Sequence, residues 1–181
     1  MVALAAIALA GCSPPVPATV AVPGRDGRGA PATVAEVIDG DTVELAFAAG
    51  PRERVRLLGI DTPETVHPDK PVECFGPEAS ARTAALLAAG TQVVVQRDAE
   101  ARDRFGRLLV YVWRRDDGVF VNERLVAEGL ARPLSIEPNV AHRADLATAS
   151  AAARAASVGL WGACPAGADR SHAGGPIRPS P

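Results

Sequence analysis

One stretch of the sequence, Val55 to Thr65, gathers the residue types that metal-assisted chemistry needs. A short apolar run containing Arg56 ends at Asp61-Thr62-Pro63-Glu64. The proline fixes its own φ and biases the preceding threonine toward an extended conformation, so the Thr62 carbonyl can point outward beside Asp61. Two carboxylates, a carbonyl oxygen and an arginine then lie within nine residues, a set suited to metal-assisted attack on a phosphodiester. Taken alone, the tetrapeptide is also typical of an ordinary turn.

A second stretch predicts a third carboxylate close to this one. Residues 33–38 and 41–47 have the pattern of two strands joined by Asp39-Gly40, a strong turn signal. Alternation in the second strand places on one face Asp41, Val43, Leu45 and Phe47. A carboxylate that begins an inward-facing row is expected at the mouth of a barrel. Asp41 and Asp61 are therefore predicted at the ends of neighbouring strands.

The remaining pattern predicts a small α+β domain. Further strands are expected over residues 52–60, 91–97 and 108–113, and helices over residues 77–90, 121–130 and 141–158. Residues 65–76 and 98–107 have the character of loops. Five short strands with interleaved helices favour a five-stranded Greek-key β-barrel of the OB type with three packed helices. We assign this domain to residues 32–164.

Composition sets limits on function. The chain has 181 residues and a net charge of -2, which suits one domain with tails. This composition lacks the excess of positive charge that dominates tight, non-specific DNA binding. If the substrate is nucleic acid, local arginines and a metal ion must hold it.

The first residues have the pattern of an export signal. Residues 1–11 are uncharged and mostly apolar, too short a run to span a bilayer, which takes about 20 residues. Leu9-Ala10-Gly11-Cys12 resembles the lipobox of bacterial lipoproteins, in which the cysteine is lipid-modified. The alternative is a frayed, alanine-rich terminus. We expect an exported monomer, either secreted or anchored to a membrane through Cys12, with a Pro/Gly-rich spacer over residues 12–31 and a disordered tail over residues 165–181.

The other two cysteines, Cys74 and Cys164, form an even pair. In an oxidising compartment an even pair favours a disulfide, whereas two buried free thiols are the alternative.

Several motifs together resemble the staphylococcal nuclease (thermonuclease) family. They occur in that family's order and spacing over residues 33–161, and they are Val37-Ile-Asp-Gly-Asp-Thr42, the segment from Arg56 to Thr65, Gly76-Pro-Glu-Ala-Ser80, Asp103-Arg-Phe-Gly-Arg107, Val121-Asn-Glu, Glu128-Gly-Leu-Ala131 and Leu160-Trp161. The resemblance implies an OB-fold enzyme that uses Ca²⁺ to cleave DNA and RNA and leaves 3′-phosphate ends.

The resemblance also implies residue roles. Asp41, Asp61 and the Thr62 carbonyl would bind Ca²⁺, with Asp39 close behind them. Glu64 would position or deprotonate the attacking water, and Arg56 and Arg107 would grip the scissile phosphate. Arg104 and Phe105 stand where the family has a lysine and a tyrosine that seat the terminal phosphate, and Ser135-Ile-Glu137 stands where it has two tyrosines that pack against the nucleotide.

Two other functions remain open at this point. The same barrel occurs in non-catalytic nucleic-acid-binding modules. The low net charge and the missing tyrosines favour such a module, whereas the retention of all six catalytic positions argues against it. A structural surface lipoprotein would need only the anchor and would leave the acidic and arginine residues unexplained. The three histidines, His67, His142 and His172, are scattered and are given no metal role.

Overall fold

A computed structural model describes residues 29–48, 50–65 and 71–164. The elements follow one another as β1 (Ala30–Asp39), β2 (Thr42–Phe47), β3 (Arg52–Leu57), β4 (Ile60–Asp61), α1 (Gly76–Leu86), β5 (Gln92–Gln96), β6 (Leu108–Arg114), α2 (Val121–Ala127), β7 (Arg132–Pro133), α3 (Arg143–Ala155) and α4 (Leu160–Ala163). β1 starts two residues before the predicted domain boundary at residue 32. The predicted signal, Cys12 and the tail lie outside the described residues.

Five strands close into a barrel in the order β1-β2-β3-β6-β5. All neighbouring pairs are antiparallel except β3 and β6, which run parallel. Val43 and Leu45 of β2 are fully buried and Asp41 at the mouth is 8% exposed, as the alternating pattern predicts. The predicted OB-type α+β barrel is confirmed.

The predicted third strand is too long. β3 ends at Leu57, and Gly59 has a φ of 76°, a left-handed conformation that favours glycine and breaks the strand. The chain then leaves the barrel, and β4 pairs with β7 in a separate two-stranded sheet. Buried Asn122 of α2 fixes this exit, because its side chain donates to the Leu58 carbonyl (2.8 Å) and accepts from the Val112 N–H (3.0 Å).

Helices cover the barrel as predicted, each somewhat shorter than its sequence pattern. The apolar face of α1, with Ala79, Thr83, Leu86 and the following Leu87, is buried. A bidentate ion pair of 2.6 and 2.7 Å between Arg82 and Glu128 joins α1 to the end of α2. The single turn α4 was not predicted from the sequence. Within the described residues, the helices are too short or too polar to cross a membrane.

Cys74 and Cys164 form a disulfide with a Cα–Cα distance of 5.9 Å. The predicted pairing is therefore confirmed, and the alternative of two free thiols is excluded in this structure. The bridge spans a sequence separation of 90 residues. In the chain-entropy model, closing a loop of that length contributes about 4–5 kcal/mol to the free energy of unfolding.

Candidate active site

The carboxylates of Asp41 and Asp61 meet at one guanidinium group. Arg56 Nη2 lies 3.0 Å from Asp41 Oδ2 and 3.2 Å from Asp61 Oδ1. The two carboxylate oxygens are therefore no more than 6.2 Å apart, which is 3.0 plus 3.2 Å. The other terminal nitrogen of Arg56, Nη1, donates hydrogen bonds of 2.7 Å to the carbonyls of Leu57 and Ile60. The predicted juxtaposition of two aspartates 20 residues apart is present, with Arg56 between them.

Strand register produces this meeting. Thr42 of β2 is paired with Arg56 of β3, so Asp41 lies directly beside the end of β3. The Leu57 N–H donates a 2.9 Å hydrogen bond to the Asp41 carbonyl, which extends the pairing to that residue. Asp61 is returned to the same end of the barrel by the turn at Leu58-Gly59, and it pairs with Arg132 of β7.

Thr62 is packed tightly against the turn between β1 and β2. Its N–H donates to Asp41 Oδ2 at 3.2 Å, which fixes its backbone against the first aspartate. Its side chain lies so close to Gly40 that a Cβ added there would be 2.6 Å from Thr62 Oγ1. Thr62 Oγ1 is buried and has no hydrogen-bond partner in the described part of the chain. This contact explains why the turn carries glycine.

Glu64 belongs to a second acidic pair with Asp39. The Thr65 N–H donates to Glu64 Oε1 (3.0 Å), and the Thr65 hydroxyl donates to Asp39 Oδ1 (2.6 Å). Burial raises the pKa of Asp39; hydrogen bonds from Thr65 and Gly40 oppose this rise, and the neighbouring Glu64 carboxyl adds to it. Asp39, Asp41, Asp61 and Glu64 thus give this end of the barrel an excess of carboxyl groups over the Arg56 guanidinium.

Arg107 approaches from the loop before β6. β6 runs parallel to β3 and pairs Leu108 with Val55, so Arg107 enters the sheet beside the strand that carries Arg56. Its Nε donates to Asp103 Oδ2 at 2.7 Å, and its backbone N–H donates to Asp103 Oδ1 at 2.9 Å. Burial pushes the pKa of Asp103 upward, but these hydrogen bonds from Arg107 outweigh it and leave the pKa lowered. Arg107 is thereby held as an oriented cation.

Phe105 stands at the tip of the same loop with 69% of its surface exposed. The Arg104 and Arg107 guanidinium carbons lie 4.8 and 5.5 Å from its ring centroid. An exposed aromatic ring flanked by two arginines is a surface suited to a base and its phosphates. The roles predicted for Arg104 and Phe105 are compatible with this placement and stay predictions.

Comparison with known proteins decides the family. Residues 54–163 match the family described as staphylococcal nuclease homologue. The chain belongs to the staphylococcal nuclease family. It is 40% identical to the thermonuclease of Staphylococcus intermedius over 136 residues, which is 75% of this chain and 79% of that protein. It is 38% identical to the thermonuclease of Staphylococcus hyicus, over 71% of this chain and 73% of that protein. It is 35% identical to Endonuclease YncB of Bacillus subtilis, over 71% of this chain and 60% of that protein.

Membership of the staphylococcal nuclease family implies a metal ion, and the donor set fits one. Two carboxylates converge on the Arg56 guanidinium, and the backbone N–H of Thr62 is bonded to one of them. Oxygen donors of this kind suit Ca²⁺. Among the described residues there is no group of three or more His, Cys, Asp or Glu side chains that could hold a metal. The predicted site has only two carboxylate ligands, so it leaves more coordination positions for water or substrate than a site with three or more such side chains.

Sequence reasoning missed Glu73. Its Oε2 accepts the Glu64 N–H at 3.2 Å, and its own N–H donates to the Glu64 carbonyl at 2.9 Å. No pattern signals this contact, because an acidic residue nine positions away in a loop is unremarkable in sequence.

His142 packs among Tyr111, Trp113 and Phe120, and the other two histidines lie outside the described residues.

Proposed function

We propose that this chain is an exported, Ca²⁺-dependent nuclease that hydrolyses DNA and RNA and leaves 3′-phosphate ends. The observation that carries the proposal is the convergence of Asp41 and Asp61 on Arg56 at the mouth of the barrel. Relatives named thermonuclease and endonuclease support nuclease activity, and thus a hydrolase. Calcium as the metal, both substrates and the end group go beyond those names.

Asp41, Asp61 and the Thr62 carbonyl would hold the ion. When bound, Ca²⁺ supplies positive charge beside the phosphate oxygens, where negative charge develops during attack. The chain offers three of the six to eight oxygens that Ca²⁺ takes, so water and a substrate phosphate oxygen would supply the others. Metal and substrate should therefore bind cooperatively. Mg²⁺, which demands a tighter octahedron, should support activity poorly.

Glu64 is the proposed general base. Its carboxylate would take a proton from the water whose oxygen bonds to phosphorus, while the bond from phosphorus to the 5′ oxygen breaks and that oxygen takes a proton from solvent water to leave as a hydroxyl. The hydrogen bond from the Thr65 N–H to Oε1 helps to hold the carboxylate in one orientation, and its neighbour Asp39 lies beside it.

Arg56 and Arg107 would stabilise the phosphate in the transition state with planar, charged hydrogen-bond donors. Arg107 is already oriented by Asp103. Arg56 Nη2 contacts both aspartates, so that nitrogen could bind phosphate only by exchanging a carboxylate for a phosphate oxygen.

Digestion of denatured DNA, with Ca²⁺ and then with a chelator, tests the proposal. The wild type should degrade DNA only with Ca²⁺, and Glu64→Gln should lower kcat by about 10²–10⁴-fold, the range for a lost general base. Glu123→Gln, an exposed substitution on α2, is the matched control and should keep wild-type turnover. Intact DNA under all conditions would favour the non-catalytic binding module, and unchanged turnover of Glu64→Gln would remove its role as the base.

Export is supported by the disulfide, since such bonds persist in oxidising compartments. The signal over residues 1–11 and the lipid anchor on Cys12 lie outside the described residues and remain proposals. Labelling cells with a radioactive or clickable fatty acid tests the anchor. Wild-type protein should incorporate label and Cys12→Ser should not.

A further inference from the structure

The loop that carries Glu64 is clamped by the segment just before α1. Glu73 binds the Glu64 backbone at two points, through its carboxylate and through its own N–H. Gly76 approaches the same loop so closely that an added Cβ would be 3.0 Å from the Glu64 carbonyl oxygen and 3.3 Å from that of Pro63. The position of Glu64 therefore depends on where residues 73–76 lie.

The clamp is not held by ordinary backbone preference alone. Phe75, between the cysteine and the glycine, has a φ of 71°. A left-handed conformation is unfavourable for a residue with a side chain, so the surrounding contacts must maintain it. Cys74 is the neighbour of both Glu73 and Phe75, and it is the residue that the disulfide fixes.

The far end of the disulfide rests on a rigid support. The Leu160 N–H donates to the Gly129 carbonyl at 2.9 Å, and the Cys164 N–H donates to the Leu160 carbonyl at 3.1 Å. Gly129 and Gly159 touch backbone to backbone, in a contact that leaves no room for a side chain at either position. Trp161 of α4 packs against the Arg154 guanidinium at 3.9 Å. α4 is thus fastened to the ends of α2 and α3.

We propose that the Cys74–Cys164 disulfide, acting through Glu73, is a positioning device for Glu64, so that opening the bridge lowers turnover in the folded enzyme. The inference rests on the proposed function, in which Glu64 is the base. Opening requires a dithiol reductant, which supplies two electrons and two protons, breaks the Sγ–Sγ bond to give two thiols and is itself oxidised to a disulfide. Glu73 is a positioning residue and touches no reacting atom.

The experiment measures kcat and KM on denatured DNA with Ca²⁺, before and after dithiothreitol, for the wild type and for Glu64→Gln. Reduction should lower the wild-type kcat by about 10–100-fold, the cost of misplacing a catalytic group by about 1 Å. It should change the residual activity of Glu64→Gln by less than about twofold, because groups that act as a unit are not additive. The double variant Cys74→Ser/Cys164→Ser should have the low kcat without reductant and should not respond to it.

Near-UV circular dichroism shows whether the reduced protein is folded during the assay. Glu73→Ala with the bridge intact tests the same positioning if reduction unfolds the domain. It should lower kcat by about 10-fold with KM changed less than about threefold. Glu78→Ala, an exposed acidic residue on α1, is the matched control and should keep its kcat.

Three results would overturn the inference: a folded, reduced enzyme with full kcat, an equal fall in the Glu64→Gln background, or a Glu73→Ala variant with wild-type kcat. The proposed function fails separately if the oxidised wild type leaves DNA intact with Ca²⁺, and its assignment of Glu64 as the base fails if the oxidised Glu64→Gln variant turns over like the wild type.

Discussion

Gly40→Ala should disable the site while leaving the fold in place. Gly40 lies in the turn between β1 and β2, and a Cβ there would be 2.6, 2.8 and 3.0 Å from Thr62 Oγ1, Cβ and Cγ2. Carbon atoms pack best at about 3.5–4.0 Å, so Thr62 and Gly40 must separate by about 1 Å. The Gly40 carbonyl accepts the Thr83 hydroxyl at 2.7 Å, and its N–H donates to Asp39 at 2.8 Å. These bonds resist movement of the turn, so the Thr62 backbone is the part that yields.

The expected effect on activity follows from that shift. Thr62 donates its N–H to Asp41 and precedes Glu64 by two residues, so a movement of about 1 Å disturbs both the proposed metal ligands and the proposed base. Misplacement of this size costs about 10²-fold in kcat. Overpacking should lower the free energy of unfolding by about 1–3 kcal/mol.

Gly90→Ala is the matched control. Gly90 has a φ of +89° and open space where a Cβ would lie, so its substitution strains the backbone without a collision. It should cost about 1–2 kcal/mol in stability and leave kcat unchanged. Both variants are assayed on denatured DNA with Ca²⁺, at a temperature well below both Tm values. Wild-type kcat in a folded Gly40→Ala protein, or an equal loss in Gly90→Ala, would refute the reasoning.

Three further predictions concern separate parts of the molecule. Arg107→Lys removes the Nε that Asp103 orients and the planar fork, so kcat on denatured DNA should fall by about 10²–10³-fold; turnover near wild type would refute this. The Glu128 pKa is lowered, chiefly by its hydrogen bond to Arg82, so Glu128→Gln should be less stable than the wild type at neutral pH. The difference in free energy of unfolding between the two proteins should shrink as the pH falls below 4.5 and through the lowered pKa. Denaturation measured at several pH values tests this, and a difference that stays constant with pH would contradict it. Asn122→Ala leaves the buried Val112 N–H and Leu58 carbonyl without their hydrogen-bond partner. It should lower the free energy of unfolding by about 2–4 kcal/mol in urea denaturation. A loss under about 1 kcal/mol would show that these groups find other partners.

The elements that sequence predicts well are those whose signal is local. β2 was predictable because Val43 and Leu45 alternate with polar residues, and α1 because its apolar residues share one helical face. The end of β3 was not, because Leu57, Leu58 and Ile60 are equally apolar and only Gly59 marks the break. The small β4–β7 sheet joins residues about 70 positions apart, and two-residue strands carry no period to detect.

The candidate site divides in the same way. Residue types and spacing led to Asp41, Asp61 and Glu64, and the strand ends explain why the two aspartates meet. The partner of each charge was not predictable, because hydrogen bonds depend on side-chain direction across the fold. Arg56 illustrates this: the family resemblance implies that it binds phosphate, whereas the structure binds it to two carboxylates and two carbonyls.

In that network, Arg56 Nη2 contacts the two aspartates and would also be needed for the proposed contact with phosphate. Without a cation, Nη2 is the positive charge that allows Asp41 and Asp61 to lie side by side, since two like charges this close repel each other. A phosphate that bound to Nη2 would take this nitrogen from the aspartates and leave their repulsion uncompensated. If Asp41 and Asp61 held a divalent cation, its charge would offset that repulsion, and Arg56 Nη2 would become available to phosphate. The low net charge of the chain is therefore compatible with nucleic-acid cleavage, because attraction for phosphate can be created locally when the ion binds.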